Sequence, residues 1–189
     1  IGVLATGDEI ILPGDPAAPD SIVNSGAFMI VALLKSLGAD AFLLPIARDN
    51  AASLSAAIGQ SHSLDLLVTI GGASVGTYDI VRSTLEAHGL DLNFWKIAMR
   101  PGRPLMFGQL GHTPVIGLPG NPVAALVCSL VFIAPALRKL LGLPVPEEME
   151  TEPALLGADI GENDQRQDFV RCRLTPQADE QLPLATPFS

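Results

Sequence analysis

Apolar residues in this chain fall into short continuous runs separated by stretches with a helical period, and the two kinds alternate from the start. Gly2–Thr6, Ala41–Ile46 and Leu64–Ile70 read as strands, and Gly26–Leu37, Ala51–Ile58 and Ile80–His88 as helices. Leu66-Leu67-Val68-Thr69-Ile70 lacks polar alternation, as expected of a strand covered on both faces. Alternating strands and helices pair in parallel. The expected fold is therefore α/β, a three-layer α/β/α sandwich with a mostly parallel sheet. Asn24 or Ser25 and Asp79 stand where helix N-caps belong, with Gly38 and Gly89 just past helix ends.

After Asn93–Met99, a further extended run, the pattern changes. Leu105–Gln109 and Thr113–Leu118 flank Leu110-Gly111-His112 and predict a hairpin, which makes the sheet mixed at one side. Pro122 suits the first position of a helix reaching about Leu141, with Gly142 as its stop and a kink at Pro135. Its run Val123–Leu137 is apolar on all sides but interrupted by Ser129 and Pro135. It falls short of the roughly 18–20 residues of a membrane span, and predicts a buried helix or one set against a partner subunit. From Leu143 the composition is that of a linker, and Thr151–Leu156 and Asp168–Leu174 read as short strands. The expected organisation is a core over 1–143, a linker over 144–150, and part of a small β domain over 151–189.

Composition changes the picture in one respect. The hydrophobic share of 48% against 16% charged is that of a globular protein, and the formal charge of −9 excludes broad charge-driven binding to nucleic acid or anionic membrane. An anionic ligand would have to be attracted locally. Cys128 and Cys172 have no CxxC spacing and read as reduced thiols of a cytoplasmic protein. His62, His88 and His112 share no motif spacing, and Ser53, Ser55 and Ser61 lack a nucleophile-elbow context. The chain opens on an apolar strand pattern without Met or leader, which reads as part of a longer polypeptide.

Candidate chemistry lies in the turns after the strands, where doubly wound sheets bind ligands. Thr6-Gly7-Asp8-Glu9 places carboxylates at the sheet edge. Gly71-Gly72-Ala73-Ser74-Val75-Gly76-Thr77-Tyr78-Asp79 combines glycines, which let a ligand approach, with a helix N-terminus suited to phosphate. Asp79 is either a plain N-cap or, beside a phosphate seat, a holder of a divalent cation. Lys96 with Arg100-Pro101-Gly102-Arg103-Pro104 gathers three of the 11 basic residues within eight positions, on a backbone that two prolines restrict. Gly117-Leu118-Pro119-Gly120-Asn121-Pro122 is a rigid turn that any helix start would suit. Asp49, after the second strand, is a default N-cap that shares the same edge.

Taken together, TGDE at Thr6–Glu9, GGASVGTYD at Gly71–Asp79, WKIAMRPGRP at Trp95–Pro104 and GLPGNPVA at Gly117–Ala124 resemble the molybdopterin molybdenumtransferase (MoeA) family, which includes the gephyrin E domain. Asp168-Phe169-Val170-Arg171 resembles the opening of that family's C-terminal β domain. The resemblance implies insertion of molybdate into adenylylated molybdopterin, with release of AMP, dependence on Mg2+ and a homodimer whose cleft a second subunit completes. It implies Glu9, Asp49 and Asp79 as essential acids, with Glu9 and Asp79 as metal ligands. It also implies Gly71, Gly72, Ser74, Lys96, Arg100 and Arg103 on the substrates, and Pro119 and Pro122 as shaping residues. Three positions depart from the family. Arginine stands at both basic positions of a turn that usually reads Lys-Pro-Gly-Lys-Pro, and Ala124 replaces a frequent serine. The family's two further N-terminal segments are absent from this stretch of chain. Related alternatives are a molybdopterin adenylyltransferase, or a non-catalytic pterin-binding scaffold of the gephyrin type.

Overall fold

Strands without polar alternation need cover on both faces, and helices provide it here. A computed structural model of the chain describes residues 1–61, 63–71, 80–146, 149–177 and 182–188. Its strands are β1 (Gly2–Ala5), β2 (Ile10–Ile11), β3 (Ile22–Val23), β4 (Phe42–Leu43), β5 (Leu67–Ile70), β6 (Leu90–Trp95), β7 (Met99–Arg100), β8 (Met106–Leu110), β9 (Thr113–Leu118), β10 (Leu155–Leu156), β11 (Gln167–Asp168), β12 (Cys172–Thr175) and β13 (Leu184–Pro187). The α-helices are α1 (Ser25–Ser36), α2 (Ala51–Ile58), α3 (Ile80–Ala87), α4 (Pro122–Cys128) and α5 (Ala134–Leu140).

The main sheet has the order β4-β1-β5-β9-β8-β6. β4, β1, β5 and β9 run parallel, and β8 is antiparallel to both of its neighbours. Side chains alternate across it, so adjacent residues join different cores. Val3, Val68, Ile116 and Leu118 pack with Ile30 and Leu34 of α1 and with Ala125 and Ile133, while Leu4, Leu67 and Val115 pack with Leu54 of α2 and Leu85 of α3. The three-layer sandwich and its mixed side are as expected.

Several boundaries differ. The sixth strand runs Leu90–Trp95, not Asn93–Met99, because the pairing with β8 is irregular between Leu92 and Phe94 and Lys96 turns to φ 68. Lys96 thus ends the strand, its N–H donating to Leu105 O at 2.9 Å. Asp168–Leu174 is two strands: β11 pairs in parallel with β7, while β12 joins β13 and β10 in a separate three-stranded sheet. Asn24 caps α1, accepting from Ala27 N–H at 3.1 Å, and Ser25 is inside the helix. Asn50, not Asp49, caps α2, accepting from Ser53 N–H at 2.9 Å.

The long helix is interrupted by a π-helical stretch, Ser129–Ile133, just before Pro135. Proline has no N–H for the Val131 carbonyl, and a wider turn absorbs the mismatch. The expectation of full burial does not hold. Over Pro122–Leu140, 19 residues of mean hydropathy 1.9 and long and apolar enough by length and composition to cross a membrane, about 33% is buried. Ala124, Ala125, Cys128, Ser129, Ile133 and Leu137 face the core, whereas Leu130 is exposed. A helix on the outer layer of a sandwich has one inner face only, so uniform apolarity cannot bury all of it.

Candidate ligand site at the strand ends

The C-terminal ends of β1, β5 and β9 converge on a cleft of about 580 Å³. Glu9 comes from the loop after β1, Asp49 from the chain before α2, Gly71 from the end of β5, and Pro122 from the start of α4; all four line the cleft. Asn24, Ser25 and Gly26 bring the N-terminus of α1 to it, and Gly120 and Asn121 that of α4. Helix N-termini favour anions. At α4 part of that capacity is already used, since Asn121 Oδ1 accepts from Val123 and Ala124 N–H at 2.9 and 3.1 Å. Ile10, Ile22 and Val23 form an apolar side of the same cleft. Pro119 is buried behind it and shapes the turn without lining the cleft.

The acidic wall is held by backbone contacts. Arg48 Nη1 donates to the carbonyls of Gly7, Asp8 and Ile10 at 3.2, 2.9 and 3.0 Å, gathering the loop after β1. Asp49 N–H donates to Asp8 Oδ1 at 3.1 Å. Burial raises the pKa of Asp49 above the usual aspartate value, and the neighbouring carboxylates of Asp8 and Glu9 raise it further. Folding therefore favours protonated Asp49: its contribution to stability is full below the ordinary aspartate pKa and is lost as pH rises through the raised one. Asp49→Asn is expected to raise the melting temperature at about pH 7, with the gain vanishing near about pH 3. An unchanged or lower melting temperature at the higher pH would show that neither burial nor the carboxylates of Asp8 and Glu9 disfavour charged Asp49.

Among the described residues, no group of three or more His, Cys, Asp or Glu is arranged to hold a metal ion. Mg2+ commonly takes one or two protein carboxylates, completing its shell with water and substrate phosphate. Glu9 and Asp49, on one cleft and under mutual repulsion, fit that demand. Gly72, Ser74 and Asp79 lie outside the described residues.

The basic residues form a second cleft, lined by Lys96, Ile97, Ala98, Arg103, Asp164, Gln165 and Arg166. Among the described residues it shares no lining residue with the first. β6 runs in the same direction as β9, being two antiparallel pairings away, so Lys96 stands at the same sheet edge as Gly71. Three strand spacings of about 4.8 Å separate β5 from β6, roughly 14 Å. Lys96 Nζ lies 3.7 Å from the centroid of the Trp95 ring, which also faces the Arg82 guanidinium at 4.5 Å. Arg100 is not among these lining residues; its guanidinium is turned to Asp168. Among the described residues, the motifs thus meet at one edge but divide between two clefts.

Residues 2–139 match the family described as "Probable molybdopterin binding domain". The chain belongs to this family. The molybdopterin molybdenumtransferase 2 of Mycobacterium tuberculosis is 35% identical over 99% of this chain and 47% of its own length. The molybdopterin molybdenumtransferase of Haemophilus influenzae is 41% identical over 75% of this chain and 35% of its own. A crystal structure titled as the molybdopterin biosynthesis MoeA protein from Pyrococcus horikosii superimposes with a TM-score of 0.82 at 28% identity, covering 100% of this chain and 44% of that one. A structure titled molybdenum cofactor biosynthesis protein B shares the fold alone, with a TM-score of 0.51 at 15% identity, over 74% of this chain and 92% of that one. The chain spans about half the length or less of the curated relatives it matches.

Within this molybdopterin-binding domain, the resemblance inferred from four motifs is borne out, and the structure adds residues that the motifs do not contain. Arg48 gathers the acidic wall around Asp8 of the first motif, Ile22 and Val23 form its apolar side, and Arg166 joins the second cleft. Only Arg48 had a legible signal, being a cation directly before Asp49 at a strand end. Ile22, Val23 and Arg166 reach the clefts through chain reversals that local composition does not report.

Proposed function

We propose that the whole protein carrying this chain acts in molybdenum cofactor biosynthesis, inserting molybdate into adenylylated molybdopterin with release of AMP. The observation that carries this reading is the division of charge along one sheet edge: carboxylates and helix N-termini in one cleft, Lys96, Arg103 and Arg166 in another, roughly 14 Å away by strand spacing. A ligand with a phosphoanhydride at one end and a metal-accepting group at the other would span that interval. The names of the relatives support the same assignment.

In this reading the protein backbone at Gly71 meets the ligand at the end of β5, and the N-terminus of α1 faces its phosphates. Glu9 and Asp49, joined by Asp79, would hold Mg2+, which supplies charge neutralisation at the phosphate oxygens. By the resemblance of their motif, Gly72 and Ser74 would bind the substrate. Lys96 and Arg103 offer fixed positive charge to the tetrahedral oxyanion in a chain that is otherwise acidic, and Arg100 belongs to the same turn. The partners are small anions, not nucleic acid or membrane, in a cytoplasmic homodimer whose contact includes the outer face of Pro122–Leu140.

The test is reconstitution. Whole protein with adenylylated molybdopterin, molybdate and Mg2+ should release AMP and yield cofactor that activates an apo-molybdoenzyme. Adenylylation of molybdopterin from ATP without molybdate would replace this reading by an adenylyltransferase, and pterin binding without either reaction by a scaffold.

A further inference from the structure

The turn after Lys96 carries two arginines, and the structure treats them differently. Arg100 donates from Nε to Asp168 Oδ1 at 2.9 Å and from Nη2 to Asp168 Oδ2 at 2.7 Å, with Asn163 Oδ1 at 3.4 Å from Nη2. The backbone fastens the same contact: Gln167 N–H donates to Ala98 O at 2.9 Å, and Phe169 N–H to Arg100 O at 2.8 Å. Phe169 packs on the hydrophobic core beside these bonds. A bidentate guanidinium–carboxylate pair uses the planar fork of arginine, which lysine lacks. Arg103 is exposed, lines the second cleft with Lys96, and has no ion pair or hydrogen bond from its side chain among the described residues.

The second cleft owes three of its seven lining residues to Asp164, Gln165 and Arg166, which precede β11 directly. Arg166 is itself held by Asp164, Nε donating to both carboxylate oxygens at 3.0 and 2.9 Å. That segment reaches the core through the pairing of β11 with β7 and through the Arg100–Asp168 pair.

We propose that Asp168 is a positioning residue of the second cleft: it occupies Arg100, holds residues 164–166 as the far wall, and leaves Lys96 and Arg103 to meet the oxyanion. This rests on the transferase reading above, and it separates two arginines that the sequence motif presents as equivalent. Arg100 anchors the C-terminal segment, and Arg103 faces the ligand.

The test is a double-mutant cycle in the whole protein with Arg100→Gln, Asp168→Asn and both together, reading KM for molybdate and kcat. Each single substitution should raise KM about tenfold with kcat within about twofold, and the double variant should be no worse than either single one. A purely structural role would lower the amount of folded enzyme, and thus kcat, at constant KM. Asp168→Glu, which keeps the charge, should recover most of the lost affinity and guards against variants that do not fold. Additive losses, or Asp168→Asn without effect while Arg100→Gln is damaging, would show that Arg100 meets the oxyanion itself and overturn the proposal. Calorimetric binding of molybdate reads the same cycle without turnover. A wild-type protein that binds molybdate but does not insert it would therefore overturn the transferase reading and leave the Asp168 cycle to stand or fall by itself.

Discussion

Arg103→Ala in the whole protein is expected to lower molybdate insertion by roughly 100- to 1000-fold, the range for losing one preorganised group that stabilises developing negative charge. The expectation follows from placement. Arg103 sits where Gly102 is confined: φ is +119, and a side chain there would meet Cys128 Sγ at 2.5 Å and Met99 Cε at 2.8 Å. The turn is therefore pinned from beneath, and the Arg103 carbonyl accepts from Ile97 N–H at 2.9 Å. Those contacts belong to the backbone, so truncating the exposed side chain should leave stability within about 0.5 kcal/mol, as at other surface positions. On the sequence alone, Asp79→Asn is expected to abolish insertion as well with folding intact. Cofactor yield measured by activation of an apo-molybdoenzyme, beside thermal unfolding, checks both. Wild-type yield from the two variants would sink the assignment of these residues.

Gly71→Ala acts on the fold instead. Gly71 has φ +100, and a Cβ would lie 2.7 Å from the Thr6 carbonyl oxygen and 2.9 Å from Thr6 Oγ1. Thr6 cannot yield easily, because its N–H donates to Ile70 O at 3.0 Å and the next N–H, from Gly7, to Ala47 O at 3.1 Å. Left-handed backbone costs a non-glycine residue about 1–2 kcal/mol, and overpacking against fixed neighbours about 1–3 more. The expected loss is about 2–5 kcal/mol, or roughly 5–20 °C in melting temperature for a domain of this size. A variant melting within about 1 °C of the parent would show that β1 and β5 separate without cost. Gly71 thus lets the ends of two neighbouring strands approach, which is also what opens the cleft there.

The sheet was legible because burial on two faces leaves a one-dimensional trace: Leu67-Val68-Thr69-Ile70 contains no solvent-facing position, and all four residues are buried. The helix cap at Asn24 was legible because capping acts over two or three residues. Asp49 was misread as a cap because two adjacent residues could serve, and the chain used Asn50. The neighbouring carboxylate was thereby left for the cleft. The end of β6 was misplaced by several residues because a pairing irregularity and a positive φ at Lys96 have no signature in hydropathy.

By itself, the sequence determined that strands and helices alternate, that the sheet is mostly parallel, and that acidic, glycine-rich and basic turns stand after the strands. Each of these depends on residues a few positions apart. Only the tertiary structure decided how those turns are grouped: carboxylates and helix N-termini around one cleft, Lys96 and Arg103 in another, and Arg100 withdrawn from both. That division depends on the pair between Arg100 and Asp168, 68 residues apart, and on β11 returning to lie beside β7. No local period encodes such a meeting. It arises when the folded core brings a distant carboxylate within hydrogen-bonding reach of one arginine and leaves the other facing the cleft.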